Sequence, residues 1–581
     1  MNFDPREIDK ARRTRPPLTR REIAVLSLAG IVLVLAPLGW AGVVLWTVAA
    51  GLGFAAAALL AAVGSLGAQR GALVGWFFGI ILGFFGASAA GAEILSSRWL
   101  DYLAFPLAAF IGTGLALFLL SGDLRSRPAE NCRRDLFRLI PFWAGLALFA
   151  YFAVQDFNAW GVAVDREAFW AKQGISGIES GSYDIRPLAH VSWLPSGLEA
   201  PFTQNLSTEL QANATQLQMN AWRLPMNAWR LMMIIGAPWL LFCALRCGLR
   251  RRRGYVILGW ITVLAACAHG LGGFFNQYSD GTILGFPVPY NTTCFGPFIN
   301  HNHAGIYLYL NAAIALALTC WHIRRAGDNA LRGGPHLVSA FLALFLALIV
   351  ALTNSMGAAG VVLALGLVSV PSAYFIGFTS SRNSVREITI VTLFALIFAA
   401  LALLFTVDLK SLGNKYESKV SAFKATGSDD RAPFRRSTWA LATEGGWSGR
   451  VWVGYGAGSY RWVSPPYQAK EPALLDKDGN LAKRAIYAHN DWLQMLAEWG
   501  IIGLLPVVLG LGWLLGWVIR AFQPGHAEAI PLACVLVLLL AHAYLDLIFW
   551  FTPLMFAAAF VAAAMIAFIE QSTAESADIS G

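Results

Sequence analysis

The richest run of chemically competent side chains is Tyr487-Ala-His489-Asn490-Asp491-Trp492-Leu-Gln494. A neutral imidazole has an ordinary pKa of about 6.5 and can take a proton from a hydroxyl near neutral pH. His489 is therefore a candidate general base. His489 and Asn490 also stand where a helix would begin, with Leu493, Leu496 and Trp499 on one apolar face. A His/Asn pair that only caps this helix and seats the chain would read the same way.

A second cluster precedes it. Phe434-Arg435-Arg436-Ser437-Thr438-Trp439 is followed by Val453-Gly454-Tyr455-Gly456-Ala457-Gly458-Ser459-Tyr460-Arg461. Guanidinium forks on Arg435, Arg436 and Arg461 could hold a diphosphate through charge-assisted hydrogen bonds. A solvated basic face is the alternative. The Gly-rich run superficially suggests a nucleotide loop, but the topology below puts it outside the cell, where ATP is not normally available. Glycines that let the backbone turn tightly under a ligand are the better reading.

A third cluster is Asn300-His301-Asn302-His303, at the outer mouth of an apolar run. Four polar residues at a membrane boundary are costly unless paired or facing a wet cavity. With Asn490 and Tyr460 they are candidates for lining a site. Two histidines two apart, with no carboxylate nearby in sequence, do not make a zinc signature, so no metal is expected. Inside a later apolar run, His542 and Asp546 are four apart and would share one helix face. An intramembrane ionisable pair is a functional candidate by default, with an interhelical structural bond as its rival.

These groups need a scaffold, and the composition says which kind. Of 581 residues, 57% are hydrophobic and 13% charged, and mean hydropathy is +0.56. Soluble domains carry about 25% charged residues. A soluble enzyme, a disordered chain and a fibre are excluded, and a polytopic membrane protein is indicated. The net charge of +9 then sets topology and does not point to nucleic acid. Apolar runs lie near 22–40, 43–66, 71–92, 103–121, 138–156, 229–248, 255–273, 303–321, 336–353, 357–377, 387–408, 499–520, 529–549 and 551–569. The expected fold is an all-α polytopic membrane protein with about fourteen transmembrane helices.

Arginines concentrate in alternate loops: Arg125, Arg127, Arg133 and Arg134; Arg246 and Arg250 to Arg253; Arg324, Arg325 and Arg332; Arg382 and Arg386. By the positive-inside rule these loops and both termini are cytoplasmic. The basic stretch 1–21 is then a cytoplasmic tail leading into an uncleaved first span, because no small-residue cleavage site ends the run. Helices of 22–156 follow, then an external loop at 157–228. That loop carries MNAWRLP followed by MNAWRLM, which places Trp222 with Trp229 and Arg223 with Arg230 on one face of an interfacial amphipathic segment. Central helices occupy 229–408. The external loop 409–498, with 13 Lys and Arg from Lys410 to Arg484, would hold the site, and 499–581 would supply the last three spans and a cytoplasmic tail. The seven cysteines, including Cys243 and Cys247 four apart, show no disulfide framework.

In order and combination, these motifs resemble the O-antigen ligase and polymerase family of bacterial membrane glycosyltransferases. The likeness rests on Asn300-His301-Asn302-His303-Ala304 opening a span, on the arginine, Trp439 and VGYGAGSY of the loop, on His489-Asn490-x-x-Leu-Gln494, and on His542-x-x-x-Asp546. It covers roughly 225–569. It implies a GT-C-like, metal-independent enzyme of the inner membrane with no cofactor. The donor would be an undecaprenyl-diphosphate-linked glycan in the periplasm. The acceptor would be lipid A-core (a ligase), a growing glycan (a polymerase) or a protein hydroxyl. It further implies His489 as base, Arg435 or Arg436 on the diphosphate, and Asn300, His303 and Arg461 around the site. A transporter of the same lipid-linked sugar is the rival, but the polar residues gather at the outer boundary and no internal repeat is visible. Where many members have Ser-Arg-Gly, this chain has Ser355-Met356-Gly357. Either another arginine serves that role, the carrier is held differently, or the chain is a divergent or inactive relative.

Overall fold

A computed structural model of the chain describes residues 17–38, 45–89, 97–120, 129–157, 159–165, 183–189, 228–276, 282–283, 286–287, 294–298, 300–326, 333–373, 431–448, 450–477, 479, 481, 485 and 487–580. The first helices are α1 (Arg20–Leu35), α2 (Leu45–Val63), α3 (Leu66–Ala89), α4 (Ser97–Leu120), the short α5 (Ala129–Arg138) and α6 (Ile140–Phe157). The central set is α7 (Ala228–Gly248), α8 (Arg252–Asn276), α9 (His301–Ala326), α10 (Pro335–Leu352) and α11 (Met356–Ser372). The segment between the central and last long helices carries α12 (Ala432–Ala442), α13 (Tyr460–Val463) and α14 (Pro465–Gln468). The chain closes with α15 (Asp491–Ala521), α16 (Ala529–His542) and α17 (Thr552–Ser580).

Thirteen of the fourteen apolar runs thus contain a helix, and the run at 387–408 lies outside the described residues. So do 1–16, most of the segment with the MNAWRL duplication, and 409–430. Among the described residues, eight helices are long and apolar enough to cross a bilayer, or nine if the bent pair α5–α6 is counted as one span. The all-α polytopic class holds. Two small antiparallel ribbons are added in the connections: β1 (Ala159–Asp165) with β2 (Tyr183–Ala189), and β3 (Thr282–Ile283) with β4 (Phe286–Pro287).

Burial ranks the spans. Of its spanning window, α9 has 89% buried and α17 has 83%, against 6% for α3. So α9 and α17 run through the centre of the bundle and α3 lies at its rim. Close helix contacts depend on small residues, as expected where lipid competes with any apolar side chain. At Gly53 in α2, a Cβ would stand 2.6 Å from the Phe105 carbonyl oxygen of α4. A capping box starts α1: Glu22 N donates to Thr19 Oγ1 at 3.2 Å, and Thr19 N donates to Glu22 Oε2 at 2.9 Å. Arg21 then reaches the carbonyls of Ala61 (2.9 Å) and Ala62 (2.7 Å) at the end of α2, where a cation is favoured.

The bundle has two chemically distinct ends. One carries Arg21, the Arg246–Glu570 pair at 2.6 Å, Arg252 with Gln571, the Arg324–Glu528 pair at 3.3 Å, and Arg520. The other carries the start of α9, the start of α15, the end of α16 and the start of α17, and the unit 431–490 sits over it.

Two expectations about these elements need correction. The run at 529–549 is not one helix. It leaves helical form after His542, because Asp491 draws the next residues across: Asp491 N donates to Ala543 O at 2.9 Å, and Asp491 Oδ2 accepts from Ile548 N (2.7 Å) and Phe549 N (3.1 Å). His542 and Asp546 stay one turn apart, Asp546 N donating to His542 O at 3.0 Å, but Asp546 lies beyond the end of the regular helix. The early turns of α15 also bury a different face from the apolar one expected. Gln494 and Glu498 are fully buried with Met495, Ala497 and Trp499, while Leu493 and Leu496 are only partly covered. The reason is that the Gly-rich segment supplies hydrogen-bond donors to that face.

Candidate active site

The Gly-rich run is built around a carboxylate of its own chain. Glu498 Oε2 accepts from Gly458 N at 2.8 Å, and Oε1 accepts from Tyr460 N at 3.1 Å and from Gln494 Nε2 at 3.2 Å. Gly454 has φ +70°, and a Cβ there would run into the Glu498 backbone. The ligand under the tight turn is thus Glu498.

The same contact finishes the membrane helix. At Gly500 (φ 63°, ψ −173°) α15 breaks, and a Cβ would strike the carbonyl of Trp452. The N–H groups freed by the break donate to the 451–452 backbone: Ile501 N to Val451 O at 2.8 Å and Ile502 N to Trp452 O at 3.0 Å. The Tyr151 hydroxyl of α6 lies between the carbonyls of Val453 (2.7 Å) and Trp499 (2.8 Å). Every buried backbone group at a break needs such a partner.

This frame holds His489. Ala488 N donates to Gln494 Oε1 at 3.0 Å on one side. On the other, Asn490 caps α15, its Oδ1 accepting from Leu493 N at 3.0 Å. Between them His489 is forced to φ +49°, a left-handed conformation that costs a non-glycine residue about 1 kcal/mol. Strain of this kind gathers at functional sites. The imidazole is one-third exposed, and its Nδ1 lies 3.6 Å from Asp546 Oδ1, slightly beyond a hydrogen bond. With Nδ1 turned to the carboxylate, Nε2 is the nitrogen left to accept a proton.

Asp546 sits beside one cation, the Arg431 guanidinium. Arg431 Nη2 is 3.3 Å from Oδ2, and Arg431 also donates to the Leu545 carbonyl. A guanidinium this close keeps a carboxylate ionised. His303, buried in the first turn of α9, packs at a tilt against Phe551 with ring centroids 3.6 Å apart and is within electrostatic reach of Asp546, His489 and Arg431. Arg435 lies one turn along α12 from Arg431, its guanidinium 5.5 Å above the Tyr544 ring.

The structure thus brings His489, Asp546, His303 and Arg435 to one region, and it adds Arg431. The other sequence candidates lie elsewhere or play a framing part. Arg436 forks onto Glu471, with Nη2 to Oε2 at 2.8 Å and Nε to Oε2 at 3.2 Å, on an exposed face. Asn300 caps α9, its Oδ1 accepting from Asn302 N at 2.8 Å, while Asn302 and His301 are half-buried. Tyr460 is buried in the loop core, 2.7 Å from the Thr438 hydroxyl, and burial pushes its phenol up to about 12. Asn490 serves as the cap. Arg461 lies in α13, and its side chain is outside the described residues. His542 faces Tyr309, Nδ1 to hydroxyl 3.3 Å, and fills the space that Gly357 leaves open.

Sequence reasoning missed Arg431 and assigned no role to Asp491 or Glu498. Arg431 carried a signal, the i, i+4 step to Arg435 on a helix face. Glu498 carried the same step from Gln494. Nothing local marks Asp546 as the partner of His489.

Residues 338–508 match the O-antigen ligase family. That stretch runs from α10 through the loop into α15 and contains His489, Arg431, Arg435 and the Gly-rich run. The match supports the family resemblance drawn from the motifs, and with it a membrane enzyme of the O-antigen ligase or polymerase type. A comparison with curated proteins finds no match.

Proposed function

We propose that this chain transfers a glycan from an undecaprenyl-diphosphate carrier to an acceptor hydroxyl on the periplasmic face of a bacterial inner membrane. The observation that carries the reading is the strained, accessible His489 backed by Asp546, with Arg431 and Arg435 beside it. His489 Nε2 takes the acceptor hydroxyl proton as the oxygen attacks the anomeric carbon. The bond from that carbon to the diphosphate oxygen breaks, and its electron pair leaves with the lipid diphosphate. A diphosphate is a good leaving group, so the main demand is positive charge where negative charge develops. Arg435 meets that demand and takes the role of the arginine that Met356 replaces. Asp546 fixes the imidazole and stabilises the imidazolium.

The topology reading is supported by charge. The site lies at the end of the bundle opposite the basic residues, and the positive-inside rule makes the basic end cytoplasmic. Both termini then fall on the cytoplasmic side. Among acceptors we favour lipid A-core, which makes the chain a ligase.

The test is a deletion strain of the native host, complemented with wild type or His489→Ala. Long polymer held on the carrier with bare core at the surface supports a ligase. Single repeat units on the core would mean a polymerase instead. Normal lipopolysaccharide in the deletion strain overturns the lipopolysaccharide reading and redirects it to another exopolysaccharide or to glycoproteins.

A further inference from the structure

The basic end of the bundle carries a helix that does not cross the membrane. In α5, Cys132 and Leu136, one turn apart, are buried against the bundle, and Asp135 pairs with Arg250 of the α7–α8 connection. The opposite face carries Arg133, Arg134, Phe137 and Arg138, all exposed. With Glu130 these residues line an open groove of about 430 Å³. Among the described residues none of the three arginines forms an ion pair. The groove thus sets three guanidinium groups against one carboxylate.

Its placement adds a second argument. The chain bends 72° between α5 and α6. Since α6 continues the spanning direction, α5 lies near the plane of the bilayer surface. The bend is pinned by Trp143 Nε1, which donates to Phe137 O at 2.9 Å, and by the Phe137, Phe142 and Trp143 rings, 5.3 to 6.0 Å apart. Below the groove an exposed apolar strip continues down α6: Ile140, Trp143 and Leu146. Guanidinium groups at headgroup depth above an apolar strip fit a phospholipid with an anionic headgroup.

We propose that the α5 groove is a binding site for an anionic phospholipid, with the phosphate on Arg133, Arg134 and Arg138 and an acyl chain along Phe137, Ile140, Trp143 and Leu146. It lies at the opposite end of the bundle from His489 and does not depend on the reading of that site.

The test uses the full-length protein, delipidated in a neutral detergent, with bound lipid counted by native mass spectrometry. Wild type should retain dioleoyl-phosphatidylglycerol at least tenfold more strongly than dioleoyl-phosphatidylcholine. The triple variant Arg133→Gln, Arg134→Gln, Arg138→Gln should lose that preference. The charge-keeping triple Lys variant should keep most of it, which separates loss of charge from loss of fold. Equal retention of the two lipids by wild type overturns the proposal, and so does an unchanged preference in the Gln variant. Displacement of the lipid by equimolar inorganic phosphate would mean a simple anion site and would also overturn it.

Discussion

His489 Nδ1 and Asp546 Oδ1 lie 3.6 Å apart although α15 and α16 separate them in the chain. Asp491, two residues beyond His489, closes the same gap by holding Ile548 and Phe549. If the pair works as base and orienting carboxylate, His489→Ala abolishes glycan transfer. Asp546→Asn keeps the shape, loses the charge, and should lower kcat about 100-fold with little change in acceptor KM. An unchanged kcat in Asp546→Asn would remove the carboxylate from the mechanism.

The two neighbouring arginines of α12 should separate sharply. Arg435→Gln should cut transfer at least tenfold and raise KM for the lipid-linked donor. Arg436→Gln breaks an exposed pair with Glu471, and such pairs are worth about 0–1 kcal/mol. Its activity should stay within about twofold of wild type. Equal losses in the two variants would contradict the division of roles drawn from their contacts.

Arg431 tests the charge around Asp546. Arg431→Met leaves a buried carboxylate with one cationic neighbour fewer. The expected result is loss of activity together with a lower unfolding midpoint in detergent. Restoring neutrality with Arg431→Met plus Asp546→Asn should recover stability but not transfer. A double variant as unstable as the single one would argue against charge compensation.

Glu498 is a framing residue. Glu498→Ala leaves the N–H groups of Gly458 and Tyr460 without their acceptor, at about 1–3 kcal/mol each. The unit 431–490 should become sensitive to added protease, with the membrane helices still protected. Cleavage no faster than in wild type would show that the carboxylate is not what holds the Gly-rich run.

Glycine substitutions separate strain from collision. Gly446→Ala meets open space and carries only the left-handed penalty of about 1 kcal/mol. Gly454→Ala and Gly500→Ala add a clash with backbone and should lower the unfolding midpoint much further. Comparable midpoints for all three would mean that the close approach of the two segments is not maintained in the membrane.

The apolar runs located the helices because a span must satisfy its own backbone, which leaves a plain one-dimensional trace. His489, Arg435 and His303 were legible for a related reason: polar groups at a membrane boundary stand out. The relation among them was not legible. Asp546 was read with His542 by helical spacing, but past the end of the regular helix its carboxylate turns to His489 and Arg431 while His542 faces Tyr309. Glycines between Gly454 and Gly458 announced a tight turn, but a turn that wraps a distant carboxylate has the same local sequence as one that wraps a phosphate.

Fifty residues of chain separate the carbonyls of Val451 and Trp452 from the amides of Ile501 and Ile502 that they receive. During synthesis the acceptors leave the ribosome first, and the helix that needs them comes later. The Gly-rich segment must wait, unfinished, until α15 is inserted, and only then can each complete the other. The extramembrane unit is therefore not a cassette that can be cut out and expressed as a soluble protein. A chain truncated before Gly500 would leave the Val451 and Trp452 carbonyls without the amides that donate to them, and the unit should then be open to proteolysis.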